Sequence, residues 1–387
     1  MAKWSGLGMN CTQPHGSWDQ FNIDHVSISS QFVPKLVDIP KLRMISDALY
    51  YNSSSNAIRH WASNIKSYFP TKYINFGIAR SSSAYWPTYY ATYLPLMQAE
   101  ATWAQSNSMD MFTVANEMET ENRNGKLSVT SITRSSNVAT VTTSAVHNLL
   151  TGDTIKITGA SDSSYNLDQV SITVLDTTTL TYACAGSDGS AAGTLLLQPG
   201  RATIKRIAMN LLTAAEAIFT NGPCIYSFSQ GYEAYYTSIS PLANSKFGYN
   251  VYGTSNGSFA SFASGIDTVY ANLGSNMIIT EFNVNSTWSA VNVNNITPSM
   301  VGFDHVFSDE IYRRMKYIQN KGIEQAYFYN CWNGSASDNN LFTAWYNTNP
   351  ITGSVAGAVL QGNWKSVYDR LLEQRISHLF LGTQQHT

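Results

Sequence analysis

Short apolar runs and amphipathic stretches alternate along most of the chain. The runs at 6–11, 41–46, 73–79, 109–115, 224–228, 247–252, 277–281 and 325–329 are each five to seven residues long, the length of strands rather than helices. Between them the apolar residues recur at spacings of three and four, which predicts helices over 56–68, 90–106, 201–220, 257–272, 299–321 and 363–373. In one of these, Phe303, Phe307, Ile311, Met315 and Ile318 form a single stripe; in another, Ile204, Ala208, Leu211, Ala215 and Ile218 do the same. Strands alternating with helices imply a parallel sheet with helices outside it. Eight such units predict an α/β chain folded as a (β/α)8 TIM barrel.

One block departs from this alternation. From Lys126 to Leu197 the texture becomes rich in Thr, with short period-two runs closed by turns such as Arg134-Ser-Ser-Asn, Thr151-Gly-Asp and Ser187-Asp-Gly-Ser. The block reads as a small all-β domain. Removing 126–197 deletes 72 residues and leaves 315, the size of an ordinary barrel. The expected organisation is therefore a barrel made of 1–125 and 198–387, with the β domain at 126–197 inserted after strand 4.

Composition narrows the functions such a barrel can serve. Of 387 residues 43% are hydrophobic and 12% aromatic, but only 12% are charged, about half the usual share, and the net charge is −2. No basic face is available for nucleic acid or an anionic membrane, and no apolar run is long enough to span a bilayer. Nine Trp, 23 Tyr and 16 Phe exclude a disordered chain. Four scattered cysteines, Cys11, Cys184, Cys224 and Cys331, suggest neither a disulfide framework nor a zinc site and read as buried thiols. Neutral polar groups and aromatic faces suit a neutral polar polymer such as a glycan. The opening MAKWSGLGMN lacks a basic-then-apolar leader, so export by a removed signal or another route is expected, with an extracellular or phage-associated location.

Chemistry in a (β/α)8 barrel sits at the C-terminal ends of its strands, and few ionisable groups fall there. The fourth strand closes on Asn116-Glu117 and the seventh on Glu281. Carboxylates on these two strands face each other across the barrel mouth, as retaining glycoside hydrolysis requires of its acid/base and its nucleophile. Glu119, two residues past Glu117, is a competing acid that reads as a loop charge beyond the strand end.

These residues resemble clan A of the glycoside hydrolases, over about 315 residues. The resemblance implies that Glu117, in its Asn-Glu pair, is the acid/base and Glu281 the nucleophile. It also implies that Arg43, in Leu42-Arg-Met-Ile, orients the nucleophile, that Asn116 bonds the sugar 2-hydroxyl, and that the Tyr252 hydroxyl contacts the nucleophile. Trp332, in Phe328-Tyr-Asn-Cys-Trp, would form a platform under the sugar at the cleavage point. Within the clan, family 5 is the nearest in pattern, with two departures. That family usually has a histidine after strand three, where this chain reads Gly77-Ile-Ala-Arg-Ser, and another on strand six, where it has Asn250. His15, in Pro14-His-Gly, is the one histidine placed for substrate contact.

Rings in the loops after the strands set the substrate class. Trp86 with Tyr85, Tyr89 and Tyr90 follows strand three; Tyr232, Tyr235 and Tyr236 follow strand five; Trp288 follows strand seven, and Trp345 with Tyr346 follows strand eight. Such rings suit the flat faces of equatorial pyranose units. The expected function is a retaining endo-acting β-glycosidase cutting β-1,4-glucan, of the endoglucanase or cellulase type, with no metal or organic cofactor. Alternatives are a β-mannanase or another neutral β-glycan hydrolase, including a phage-associated polysaccharide depolymerase, and a non-catalytic glycan-binding protein. The 126–197 block resembles Thr-rich β domains of phage tail proteins through its run from His147 to Ala160, and offers Tyr165 and Tyr182 as its only rings for sugar.

Overall fold

A computed structural model describes residues 7–12, 41–47, 57–68, 70–79, 84–120, 125–236, 239–253, 258–283 and 303–332. Strands β1 (Leu7–Thr12), β2 (Lys41–Asp47), β3 (Tyr73–Ala79) and β4 (Met111–Asn116) are followed by a Thr-rich stretch of seven further strands. The chain then resumes with β12 (Cys224–Ser229), β13 (Ser245–Val251), β14 (Met277–Phe282) and β15 (Ala326–Trp332). These eight close into a barrel in the order β1-β15-β14-β13-β12-β4-β3-β2, every pairing parallel. Helices α1 (Ala57–Tyr68), α2 (Trp86–Ser106), α3 (Arg201–Glu216), α4 (Phe259–Leu273) and α5 (Phe303–Asn320) connect them. No described helix is long and apolar enough to cross a membrane. The sequence-predicted helix over 363–373 lies outside the described residues.

The strands alternate their side chains between two environments. Outward positions such as Phe76, Phe112, Phe228, Phe247 and Ile279 pack against Trp86, Leu211, Phe219, Phe262 and Ile311 in one continuous core. Burial of each such side chain stabilises the fold by about 1.5–3 kcal/mol. Inward positions divide by level. Met111, Ile225, Ile278 and Tyr327 plug the barrel with apolar groups, whereas Arg43, Asn75, Thr113, Ser227, Asn250 and Thr280 form a buried polar layer toward the C-terminal ends of the strands. Gly248 makes room for that layer, since a Cβ there would lie 2.4 Å from Thr280 Cγ2 and 2.6 Å from Ser227 Oγ.

The remaining strands, β5 (Leu127–Ser135), β6 (Val138–Thr143), β7 (Thr154–Ala160), β8 (Val170–Val174), β9 (Thr179–Ala183), β10 (Gly189–Ser190) and β11 (Gly193–Pro199), make a second, antiparallel sheet. Alternate residues, among them Ile132, Val141, Ile155, Leu180 and Leu197, build a separate core that Tyr85 enters from the barrel side. Tyr165 and Tyr182 belong to this core, 2% and 3% exposed, so neither presents the ring to sugar that the sequence suggested. Their hydroxyls are drawn inward, Tyr165 donating to Gly189 O and Tyr182 to Tyr165 O.

The second sheet also finishes α3. Gly200, at its N-cap, offers no side-chain acceptor, and the first donors are met from afar. Thr154 O accepts from Gly200 N (2.7 Å) and from Thr203 Oγ1 (2.7 Å), Thr154 Oγ1 accepts from Ala202 N (2.9 Å), and Gln169 Oε1 accepts from Arg201 N (2.6 Å). The N–H groups of Gly200, Arg201 and Ala202 are among those that a helix start leaves without partners, and the Thr203 hydroxyl adds a side-chain tie. Glycine is needed at the joint, because a Cβ at Gly200 would lie 2.6 Å from Thr154 Oγ1. One turn on, Arg206 forms a two-pronged ion pair with the buried Asp153, at 2.8 and 2.6 Å.

Candidate active site

The site grows out of the polar layer inside the barrel. Arg43 projects inward from β2 and is fully buried. Its guanidinium reaches three strands: Nη1 donates to Glu281 Oε1 on β14 (3.0 Å), and Nη2 to Asn116 Oδ1 on β4 (2.9 Å) and Ser227 Oγ on β12 (3.2 Å). Only the planar fork of arginine serves several acceptors this way. Asn116 Nδ2 donates to Glu281 Oε1 at 3.4 Å, and the Tyr252 hydroxyl, just past β13, donates to Glu281 Oε2. Both oxygens of Glu281 therefore face donors, and the residue is 5% exposed.

Glu117 is held differently. It follows the last residue of β4 with φ +55°, in the left-handed region that costs a non-glycine residue of order 1–3 kcal/mol. Its N–H donates to Ser227 O at 2.8 Å, and its Oε1 accepts from Asn250 Nδ2 at 2.8 Å. Asn250 also donates to Asn116 Oδ1 at 3.2 Å, and its own Oδ1 accepts from Thr280 Oγ1 at 2.6 Å. Where the neighbouring strands carry these residues the pairing slips, between Tyr249 and Asn250 on β13 and between Ile225 and Tyr226 on β12. Irregularities of this kind turn side chains away from strict alternation beside active sites.

Six sequence-selected residues, Arg43, Asn116, Glu117, Asn250, Tyr252 and Glu281, thus form one connected hydrogen-bonded group, in which Arg43 reaches from within β2 to residues at the C-terminal ends of β4, β13 and β14. Trp332 ends β15, as its position in the sequence implied. His15, Trp288, Trp345 and Tyr346 lie outside the described residues. Among the described residues no cluster of His, Cys, Asp and Glu is placed to hold a metal ion.

Several aromatic assignments need correction. Trp86 is fully buried and begins α2 rather than lying in a loop. Pro87 beside it favours the first helical turn, and the indole packs edge-on against Tyr93 with ring centroids 5.3 Å apart. Tyr85 belongs to the core of the second sheet, and Tyr236 is 1% exposed beneath β12 and β13. Tyr89, Tyr90 and Tyr235 are half-buried against the barrel core. Tyr232 is half-exposed, its ring 5.5 Å from that of Tyr235. Glu119 is also not a loop charge. It is fully buried, and this burial pushes its carboxyl up to about 8.

No protein-family model matches the chain, and no curated protein matches it significantly. Solved structures do. The catalytic domain of Thermobifida fusca endoglucanase Cel5A superposes with a TM-score of 0.50 at 10% identity, covering 95% of this chain and 91% of that one. A cellotetraose complex of a variant of that enzyme gives 0.50 at 9% identity, over 94% and 91%. A family GH113 β-1,4-mannanase gives 0.47 at 9% identity, over 94% of this chain and 100% of the other. At such identities the likeness is one of fold: the chain has the barrel architecture found in glycoside hydrolases.

Proposed function

We propose that the protein is a retaining endo-acting β-glycosidase that hydrolyses a neutral β-1,4-glucan. The observation that carries this reading is the asymmetric treatment of two carboxyl groups at one barrel mouth. Glu281 is ringed by the donors of Arg43, Asn116 and Tyr252, which complete the ionised form that a nucleophile needs. Glu117 instead accepts from the neutral amide of Asn250 and is less buried than Glu281.

In the first step Glu117 gives its proton to the glycosidic oxygen while Glu281 attacks the anomeric carbon, forming a glycosyl-enzyme ester and releasing the leaving sugar. Arg43 and Tyr252 hold the attacking carboxylate in place. Esterification removes the charge of Glu281, and Glu117, now ionised, takes a proton from the water that cleaves the ester. Asn116, bridging Arg43 and Glu281, is the residue we assign to bond a sugar hydroxyl. The low charge of the whole chain supports an uncharged substrate, and the endoglucanase fold likeness supports the glucan. The test is reducing-sugar release from carboxymethylcellulose, β-glucan and mannan by the wild type and by Glu281→Ala. Activity on one of these, lost in the variant, is the expected result; equal behaviour of both proteins refutes a catalytic role and favours glycan binding alone.

A further inference from the structure

The turn after β4 carries a second carboxyl group that the mechanism above does not use. Glu119 is fully buried, with Oε1 accepting from Ser229 N at 2.7 Å and Oε2 accepting from the Tyr236 hydroxyl at 3.2 Å. Tyr236 is itself fixed by rings on two strands, 4.3 Å from Phe228 and 6.0 Å from Phe247 between centroids. A buried carboxyl with this much surrounding structure needs a reason to be there.

The reason lies in the register between β4 and β12. Glu117 N donates to Ser227 O, as the next rung of a parallel ladder would. The left-handed turn at Glu117 then carries the main chain of β4 away from β12. Two residues on, Ser229 N meets the Glu119 carboxyl instead of a backbone carbonyl. The side chain stands where a continuing strand would have placed its acceptor. Residue 117, which bends the chain, is thereby tied to β12 on both sides, by its own N–H before the turn and by Glu119 after it.

We infer that Glu119 is a positioning residue that locks the left-handed turn onto the end of β12 and so aims the Glu117 carboxyl at Asn250 and the cleft. The inference rests on the reading of Glu117 as the acid/base. Burial holds Glu119 protonated through the acid and neutral range, so it adds no second negative charge beside Glu117. The titratable groups around it are Glu117, Tyr226 and Tyr236. A neutral carboxyl keeps both contacts, Oε1 accepting from Ser229 N and Oε2 facing the Tyr236 hydroxyl. Glutamine keeps a polar group against each partner and alanine removes both.

The experiment compares wild type, Glu119→Gln and Glu119→Ala by crystal structure and by kcat/KM on two probes, barley β-glucan and 2,4-dinitrophenyl β-cellobioside. The second probe has a leaving group that departs without a proton. Glu119→Gln should stay within about threefold of wild type on both, while Glu119→Ala should lose about 10- to 100-fold on the glucan and under about threefold on the aryl glycoside, the pattern of a misplaced acid. In the Glu119→Ala crystal, Glu117 Oε1 should have left hydrogen-bond distance of Asn250. An unchanged Glu117–Asn250 contact, or equal losses on both probes, overturns the inference. Should Glu119→Ala not fold, Tyr236→Phe removes one anchor, keeps the ring and is judged by the same criteria. Glu117→Ala on the same probes tests the acid assignment separately: wild-type turnover of glucan by that variant refutes the acid reading, whereas the crystal comparison still decides what holds Glu117.

Discussion

The side-chain amide of Asn250 donates to Oε1 of Glu117 at 2.8 Å. An amide neither gains nor loses a proton in the working range, so Asn250 adds no titration of its own to this contact, whereas a histidine here would change charge near its ordinary value of about 6.5. Asn250→His should therefore introduce a limb in the pH–rate profile of kcat/KM within about one unit of that value, absent from the wild type. Asn250→Ala should lower kcat by about 10- to 100-fold without adding a limb.

Arg43 and Glu281 are a buried pair at 3.0 Å, with side-chain exposures of 0% and 7%. Removing one partner of such a pair strands the other, at a cost of about 3–5 kcal/mol. Arg43→Met should show this as a large fall in Tm, and adding Glu281→Gln should recover part of it. Calorimetry of the two single variants and the double variant measures the coupling directly.

Glu119 links stability to pH. Its folded-state value, raised to about 8 by burial, exceeds the ordinary 4.5, so the folded protein keeps a proton that the unfolded chain releases. The stabilisation is full below about 4.5 and is lost progressively as pH rises to about 8, at up to about 1.4 kcal/mol per unit. Thermal melts between pH 5 and 8, about the interval over which that proton is held, should show this slope in the wild type and a flatter line in Glu119→Gln.

The polar layer leaves no spare volume at Gly248. Gly248→Ala would drive a methyl group into Thr280 and Ser227, costing about 1–3 kcal/mol by overpacking. Because Thr280 holds Asn250 and Ser227 accepts from Arg43, kcat should fall together with Tm. A crystal structure of the variant would show which of the two residues gives way.

Thr154 should matter to a helix that lies 47 residues further along the chain. Thr154→Val keeps the shape but removes the oxygen that accepts from Ala202 N, a capping loss of about 0.5–2 kcal/mol. Urea denaturation of the variant measures it.

Much of the barrel was legible because each strand is a compact apolar run bounded by polar residues, so that β3 matches the predicted 73–79 and β12 starts at the predicted Cys224. The ends were less legible: β4 begins at Met111 and not at 109, because Met109 still belongs to the turn that closes α2, its N–H bonded to Ala104 O. The choice of Glu117 and Glu281 was reachable from strand position, since residues closing the strands of one barrel share its mouth, whereas the place of Arg43 beside Glu281 came from the family resemblance. Burial of single aromatic and charged residues was not. Trp86 and Tyr236 look like loop rings in sequence, and what covers them comes from other turns of the chain. Glu119 appears exposed by the same logic, since its partners Ser229 and Tyr236 lie more than a hundred positions away.

The cap on α3 has a consequence for how this chain can change over generations. Thr154 on β7 and Gln169 just before β8 meet the backbone donors of Gly200, Arg201 and Ala202 and the Thr203 hydroxyl. A deletion that trimmed the sheet away would expose a helix start tailored to an absent neighbour, and a transplanted sheet would have to bring matching oxygens to the same spot. The joint behaves as a keyed fitting rather than a hinge, so lineages should exchange this cassette together with the opening turn of the following helix, and recombination boundaries should fall inside α3 rather than at Gly200.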